Sequence, residues 1–409
     1  MRDAGPTCGP ETCNGTDDDC DGLIDEGVMT VGPAVVATTS APLIPRFLVE
    51  TANGFGVIYM TETDYAVWAR TDRDGAAVAG GQPPGLGANY VADAASVGNL
   101  TWALAISDFT GPSAALHLLR FDNTTAAPAL DDTHTFELPG RLPIAARFAS
   151  LSATRASAYV VDGDPSFAGP ARIRRSRLDL ARNPIWGLAA SDVASDVDPQ
   201  ATFAVVATDR AEYVVYRRMD GRLALMAGPA DDSSTAFHML GLIGDASSPE
   251  ADYISLAVRD TSAPVSDTNP LGVAWLGRNQ GESRRQTLAF AQVTDTTVLR
   301  VSMPTTFSDA YGGWGGFFTD RAVQLVALQD GAGHWLLVSE DTASASPPMG
   351  GVLQVRELIG GSTNIRTLTV PGEVLGPQGN IMVTRSGATL RVLESNTDAG
   401  AVTRAIGCE

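Results

Sequence analysis

The chain has 409 residues, of which 44% are hydrophobic and 18% are charged, and this is the composition of a folded globular protein. Its formal net charge is −19 and all 28 basic residues are arginine, so the charge argues against nucleic acid as a partner. Since no run of about 18 apolar residues occurs, the sequence also predicts no transmembrane segment.

The cysteines lie at the two ends of the chain. Cys8, Cys13 and Cys20 are near the N-terminus, and Cys408 is the penultimate residue. An even number of cysteines is typical of disulfides in an exported protein. The first residues, MRDAGPTCGPETC, contain no apolar core of a signal peptide. We therefore expect a mature form or a fragment of a protein that is extracellular, at the cell surface or periplasmic.

The N-terminal segment, residues 1–27, contains a candidate calcium loop. Its residues 11–27 read ETCNGTDDDCDGLIDEG, in which acidic side chains alternate ahead of a glycine. A Ca²⁺ ion takes about six to eight oxygen ligands from such a loop, because alternate carboxylates point inward and glycine permits the bend. The expected ligands are Asp17, Asp19, Asp21, the carbonyl of Leu23, and Asp25 or Glu26.

The same segment resembles the MopE-type metal-binding motif, CNG-x-DDDCDG-x-x-DEG, of exported delta-proteobacterial proteins. It is also similar to thrombospondin type 3 calcium loops. Val28 stands where an EF-hand has its final glutamate, so the loop is EF-like without being an EF-hand. The name of the first family is associated with copper, but copper sites use imidazole or sulfur ligands, and the nearest histidine is His117. Oxygen ligands favour Ca²⁺ as the cofactor.

The cysteines of this motif predict a disulfide that braces the loop. Cys13 and Cys20 flank the start of the calcium loop and belong to one motif unit, so we predict that they bridge each other. Cys8 then pairs with Cys408, where the two ends of the chain meet. The main alternative joins Cys8 to Cys20 and Cys13 to Cys408.

From residue 28 onward the chain consists of short apolar runs separated by turn residues. FGVIYM at 55–60, FAVVAT at 203–208 and HWLLVSE at 334–340 are typical of strands. Asn-Gly, Asp-Gly and Ser-Gly pairs between such runs indicate hairpin turns. No stretch carries a capped helical stripe, so the sequence predicts an all-β fold.

A degenerate repeat indicates how the strands are grouped. Arg-x-Asp recurs at 70–72, 120–122, 177–179 and 218–220, a period near 50 residues that is typical of a β-propeller. We expect these marks to end third strands and to serve turn capping and packing between blades. Residues 28–409 are the predicted propeller; seven blades of about 53 residues are favoured, and six or eight stay open. The lone strand at 31–38 is expected to close a last blade that lacks one strand.

The sequence leaves two hypotheses for function. The favoured one is an exported, calcium-binding propeller that acts as a binding or scaffolding module for a protein or glycan. The alternative is a glycan-active hydrolase or lyase, which needs two carboxylates about 5–10 Å apart in an acidic central funnel. Trp314, in the Gly-rich segment 311–318, either stacks on a sugar or peptide or belongs to a blade connection. The histidines are isolated and predicted to be structural: His117, His134, His238 and His334.

Overall fold

The computed structural model describes most of the chain. The described residues are 8–10, 12, 18–20, 29–38, 44–60, 66–81, 89–107, 115–122, 124, 131–137, 141–164, 169–181, 191–231, 236–244, 250–278, 286–297, 299–302, 304–309, 323–328, 334–341, 351–359, 366–374, 382–386, 389–396 and 400–407.

These residues form strands connected by turns. The strands are β1 (Thr30–Val31), β2 (Val35–Thr38), β3 (Ile44–Thr51), β4 (Gly54–Met60), β5 (Ala66–Thr71), β6 (Ala77–Gly81), β7 (Asn89–Val97), β8 (Leu100–Ser107), β9 (Ala115–Asp122), β10 (Asp131–Glu137), β11 (Leu142–Leu151), β12 (Arg155–Gly163), β13 (Ala171–Asp179), β14 (Ser191–Val197) and β15 (Phe203–Ala207). They continue as β16 (Ala211–Arg217), β17 (Leu223–Pro229), β18 (His238–Ile243), β19 (Glu250–Val258), β20 (Leu271–Arg278), β21 (Gln286–Asp295), β22 (Arg300–Val301), β23 (Thr305–Asp309), β24 (Val323–Ala327), β25 (His334–Asp341), β26 (Gly351–Ile359), β27 (Arg366–Val374), β28 (Met382–Ser386), β29 (Thr389–Asn396) and β30 (Gly400–Gly407). Within the described part of the chain, no helix is long and apolar enough to span a membrane.

The strands assemble into seven antiparallel sheets, which we call blades 1 to 7. Blades 1 to 4 are β3–β6, β7–β10, β11–β14 and β15–β18, and blade 6 is β24–β27. Blade 5 is β19–β22 with β23 also paired to β21, and blade 7 is β28–β30 with β1 and β2. The first strands contact one another in the ring order β3, β7, β11, β15, β19, β24, β28 and back to β3. The chain is therefore a closed β-propeller, and the predicted fold class and its favoured blade number are confirmed.

Blade 7 joins the two ends of the propeller. β1 and β2 both pair with β30, with Thr30 opposite Gly407 and Val35 opposite Thr403. This is the sheet to which the sequence assigns residues 31–38. Met29, just before β1, is 1% exposed and packs among apolar residues of blades 6 and 7. The start of the propeller is thus held both by strand pairing and by a buried side chain.

The core is divided among the contacts between blades. Seven apolar clusters occur, and each contains residues of two adjacent blades, including one between blades 7 and 1. Middle strands are covered on both faces, so β12 is buried at every position after Arg155. This explains why such strands have continuous apolar sequences instead of alternating ones. Large fully buried side chains include Trp68, Trp102, Trp275 and Trp335.

The Arg-x-Asp repeats mark turns, as expected. Asp72, Asp122, Asp179 and Asp220 each accept a hydrogen bond from the backbone N–H two residues further on. Three of the repeats end or follow the third strands β5, β9 and β13, but Arg218-Met219-Asp220 follows the second strand, β16. The expectation that all four mark third strands was therefore wrong. The motif is required by the turn that its Asp stabilises, and such a turn can follow any strand of a blade.

Candidate axial binding site

A cavity lies where the first strands surround the propeller axis. Its volume is about 240 Å³, and residues of β7, β11, β15, β19 and β24 line it. Each of these strands is the terminal strand of its sheet and pairs only with the second strand of its blade. The other backbone edge therefore faces the axis, and it presents N–H and C=O groups that the ladder does not use.

Side chains of one blade bind some of these edge groups of the next. Asp93 Oδ2 accepts a hydrogen bond from the Phe148 N–H at 2.7 Å, which links blades 2 and 3. The Ser255 hydroxyl accepts the Leu325 N–H at 2.9 Å and links blades 5 and 6. Thr202, before β15, accepts the Ile254 N–H at 2.8 Å. The cavity wall is thus joined across blade boundaries at three points by polar side chains.

The wall carries one acidic and one basic side chain among the residues that line the cavity, Asp93 and Arg147. Both are more than nine-tenths buried. Asp93 Oδ1 also accepts the Ala94 N–H, at 2.9 Å, so each of its oxygens has a backbone donor. Arg147 Nη1 donates to the carbonyl oxygens of Ala92 and Ala146, at 2.7 and 2.9 Å. The two charges are opposite, and both groups are held in the wall by main-chain hydrogen bonds.

A local irregularity of β7 places Asp93 in this position. The register of β7 on β8 shifts between Val91 and Asp93. A β-bulge of this kind turns the following side chain relative to a regular strand. The remaining polar side chains of the lining are uncharged, namely Tyr253, Ser255 and Gln324.

A second polar cluster lies away from the axis, between blades 3 and 4. Glu212 is fully buried, and it accepts a hydrogen bond from the Tyr159 hydroxyl at 2.6 Å. Its carboxylate also pairs with Arg175 at 3.1 Å and with Arg177 at 3.3 Å. Burial and the neighbouring Glu212 carboxylate raise the pKa of the Tyr159 phenol. Because the partners are side chains of adjacent blades, we assign this cluster to the packing of the propeller.

The predicted calcium ligands fall mostly outside the described residues. Of Asp17, Asp19, Asp21, Leu23, Asp25 and Glu26, only Asp19 is described, and it is exposed. The neighbouring Asp18 carboxylate accepts hydrogen bonds from the N–H and hydroxyl groups of Thr12. Among the described residues, no three or more side chains that could ligate a metal lie together.

The predicted disulfides are corrected by the structure. Cys8 is bonded to Cys20, with the two Cα atoms 5.6 Å apart, so the pairs Cys13–Cys20 and Cys8–Cys408 were wrong. The carbonyl of Asp18 accepts the Gly9 N–H at 2.7 Å, which brings the chain around Cys20 back beside Cys8. Cys20 has a φ of 65°, a left-handed turn that completes this approach. Cys13 and Cys408 lie outside the described residues.

The other sequence candidates do not belong to the cavity lining. His117 is on β9 and half-buried, and burial lowers its pKa. His238 begins the outer strand β18 and is exposed. Trp314 lies outside the described residues, and His134 and His334 are placed only by their strands, β10 and β25.

Sequence reasoning missed the axial residues, although a signal exists. Asp93 and Arg147 are charged residues inside NYVADAASV and LPIAARFASL, which otherwise contain mostly apolar and small residues. A charge within a buried strand requires a partner. The two strands begin successive repeat units. A buried charge in each of them therefore indicates that both strands face the interior of the ring.

The fold and the cavity define the chain as a seven-bladed β-propeller with an axial pocket. No protein-family model matches the sequence, and no curated protein sequence is significantly similar to it. Among solved structures, the BP39L lectin from Burkholderia pseudomallei is similar, with a TM-score of 0.57 and 13% identity over 90% of this chain and 97% of that one. The polysaccharide lyase Uly1 is also similar, with a TM-score of 0.52 and 11% identity over 90% of both chains. At these identities the likeness concerns the fold.

Proposed function

We propose that this protein is an exported binding module, and that its ligand site is the axial cavity. The observation that supports the proposal is the composition of the wall, in which the axis-facing edges of five first strands surround about 240 Å³ of space. Concave sites of mixed polar and apolar lining are where proteins bind small molecules. The ligand is a small polar molecule or one unit of a glycan.

Binding is favoured over glycoside hydrolysis by the number of acidic groups in the wall. Glycoside hydrolysis uses two carboxyl groups about 5–10 Å apart. Among the residues that line the cavity Asp93 is the one carboxylate, and its hydrogen bond to the Phe148 N–H joins two blades. Similar folds occur in a lectin and in a lyase, so the fold itself does not choose between binding and catalysis.

The N-terminal motif is part of the same proposal. It binds one Ca²⁺ through Asp17, Asp19, Asp21, the Leu23 carbonyl, and Asp25 or Glu26. The different environments of Asp18 and Asp19 support this ligand set, and the Cys8–Cys20 disulfide supports an oxidising location outside the cytosol. The bound ion would contribute rigidity to the loop, as hard oxygen ligands from one turn do.

A thermal-shift screen tests the proposed site. A panel of neutral monosaccharides, uronic acids, amino acids and nucleosides is added to wild-type protein, Ala95→Leu and Ala77→Leu. Ala95 lines the cavity, so a leucine there removes ligand space, whereas Ala77 is exposed on the outer strand β6 and is the matched control. We expect at least one compound to raise the Tm of wild type and control but not of Ala95→Leu, because a ligand stabilises only the state that binds it.

Two outcomes would contradict the proposal. If no compound stabilises the wild type, or if Ala95→Leu responds as the control does, the axial cavity is not the ligand site. If incubation with oligosaccharides releases new reducing ends or unsaturated products, the protein is an enzyme, and the proposed role as a binding module is wrong.

A further inference from the structure

We infer that the axial cavity holds a single uncharged sugar unit, an inference that rests on the proposed binding function. It concerns the chemical class of the ligand and follows from the size, charge and hydrogen-bonding character of the wall. None of these features depends on the N-terminal motif.

The size of the cavity limits the ligand to one ring. Its volume of about 240 Å³ is below the range of about 300–1,000 Å³ typical of pockets for drug-sized ligands. The lining comes from the first strands alone, so the ring of strands limits the width of the space. A monosaccharide or one residue of a longer chain matches this volume, whereas a folded peptide segment does not.

The charge of the wall selects against an ionised ligand. Asp93 and Arg147 cancel, so a ligand carboxylate or ammonium would meet no net opposite charge among the lining residues. Transfer of an ion into such a space without a partner is strongly unfavourable. Neither wall charge can turn toward a ligand without losing its main-chain hydrogen bonds.

The hydrogen-bonding groups of the wall match hydroxyl groups. Backbone edges present both donors and acceptors, and the Gln324 amide adds a side chain that does both. A sugar hydroxyl also donates and accepts, so it satisfies either kind of edge group. Between these polar groups lie Ala94 and Leu256, both partly exposed, which offer apolar contact to the C–H faces of a sugar ring. A purely apolar ligand would leave the edge groups without partners, at a cost for each.

Calorimetric titration with defined sugars tests this class. The probes are glucose, galactose, mannose and xylose as neutral sugars, with glucuronate and glucosamine as charged relatives of glucose. We expect at least one neutral sugar to bind, and the charged relative of a bound sugar to bind at least about tenfold more weakly, as a hydrogen-bonding site discriminates against a mismatched group.

A charge-changing variant tests the reason for this selectivity. Gln324→Lys places a positive charge at the wall, so its affinity for glucuronate should rise about tenfold while its affinity for neutral sugars falls. Gln292→Lys, on the third strand of blade 5 and outside the lining, makes the same charge change away from the axis and should bind like the wild type. Circular dichroism and the unfolding temperature establish that both variants are folded.

The outcomes separate this inference from the proposed function. Preferential binding of glucuronate or glucosamine by the wild type, blocked by Ala95→Leu, would overturn the uncharged class and leave the axial site intact. If neutral sugars bind and Ala95→Leu does not affect that binding, the axial cavity is not the ligand site. If the affinity for glucuronate rises equally in both lysine variants, the selectivity comes from the overall charge of the protein and the inference is wrong.

Discussion

At the scale of residues, buried ion pairs connect adjacent blades. Arg217, at the end of β16 in blade 4, pairs with Asp252 of blade 5 at 2.8 Å and with Asp198 at 3.0 Å. Glu212 and its two arginines serve the boundary of blades 3 and 4 in the same way. Removing one member of a buried pair costs about 3–5 kcal/mol because the other charge is left without its partner. These ionic contacts therefore specify which blade faces which.

The proposed calcium loop gives a prediction at the same scale, from two adjacent aspartates. Asp19→Asn should weaken Ca²⁺ binding by at least about tenfold, because it removes a charged ligand from the shell. Asp18→Asn should leave the affinity near that of the wild type, since Asp18 faces Thr12 and an asparagine oxygen still accepts those bonds. Isothermal titration calorimetry of both variants measures the difference. Equal losses, or a wild type that binds no Ca²⁺, would contradict the proposed ligand set.

At the scale of elements, the hairpin turn between β5 and β6 fastens blade 1 to blade 7. Arg391 of β29 donates to the carbonyl oxygens of Arg73 and Asp74, at 3.1 and 3.2 Å. The Thr403 hydroxyl of β30 donates to the carbonyl of Gly75 at 3.3 Å. Burial lowers the pKa of the Arg391 guanidinium, whose carbon lies 5.2 Å from the centre of the Phe55 ring. The turn is thus part of the ring closure as well as a connection.

Gly75 is the sensitive position of this turn. It has a φ of 89°, and an added Cβ would overlap the Thr403 hydroxyl. Gly75→Ala should therefore lower the free energy of unfolding by about 1–3 kcal/mol for backbone strain and by a similar amount for the clash. Gly98→Ala is the matched control, because Gly98 has a φ of 58° but nothing within 4 Å of its Cβ position. Chemical denaturation measures the free energy of unfolding of both variants, and the difference between them is the contribution of the contact between the blades. Equal losses of this free energy would show that the contact contributes nothing.

The strands were predictable from sequence because their signals are local. Runs such as FAVVAT and the Asp-Gly turns depend on neighbouring residues, so all-β structure and the repeat could be inferred directly. The axial site could not be inferred, since it unites residues such as Asp93, Arg147 and Gln324 from different blades. The Cys8–Cys20 bond was only the alternative prediction for a similar reason: it depends on the hydrogen bond from the Gly9 N–H to the Asp18 carbonyl, which spacing does not reveal.

At the scale of the whole molecule, the ends of the chain meet in one blade. Gly407 at the end of β30 lies opposite Thr30, and Met29 is buried directly before it. Every pair of adjacent blades is connected by the chain, so the ring is closed by strand pairing alone only within blade 7, where β30 meets β1 and β2. Terminal strands are where folded domains fray most readily. A covalent link between these strands would stabilise the ring at its point of closure.

The final prediction is a disulfide between Cys13 and Cys408. Cys8 and Cys20 are bonded to each other, so these are the two cysteines that remain of the four in the chain. Cys408 directly follows β30, whose last residue is paired beside the N-terminal segment. Closure of so long a loop is worth about 6 kcal/mol in the chain-entropy model. Digestion of unreduced protein with Glu-C and Asp-N separates all four cysteines, and the expected linked pairs are peptide 12–16 with 398–409 and peptide 3–11 with 19–20. Cys408→Ser should keep the second pair and lower the free energy of unfolding, whereas alkylation of Cys408 in the native wild-type protein would show a free thiol and refute the link.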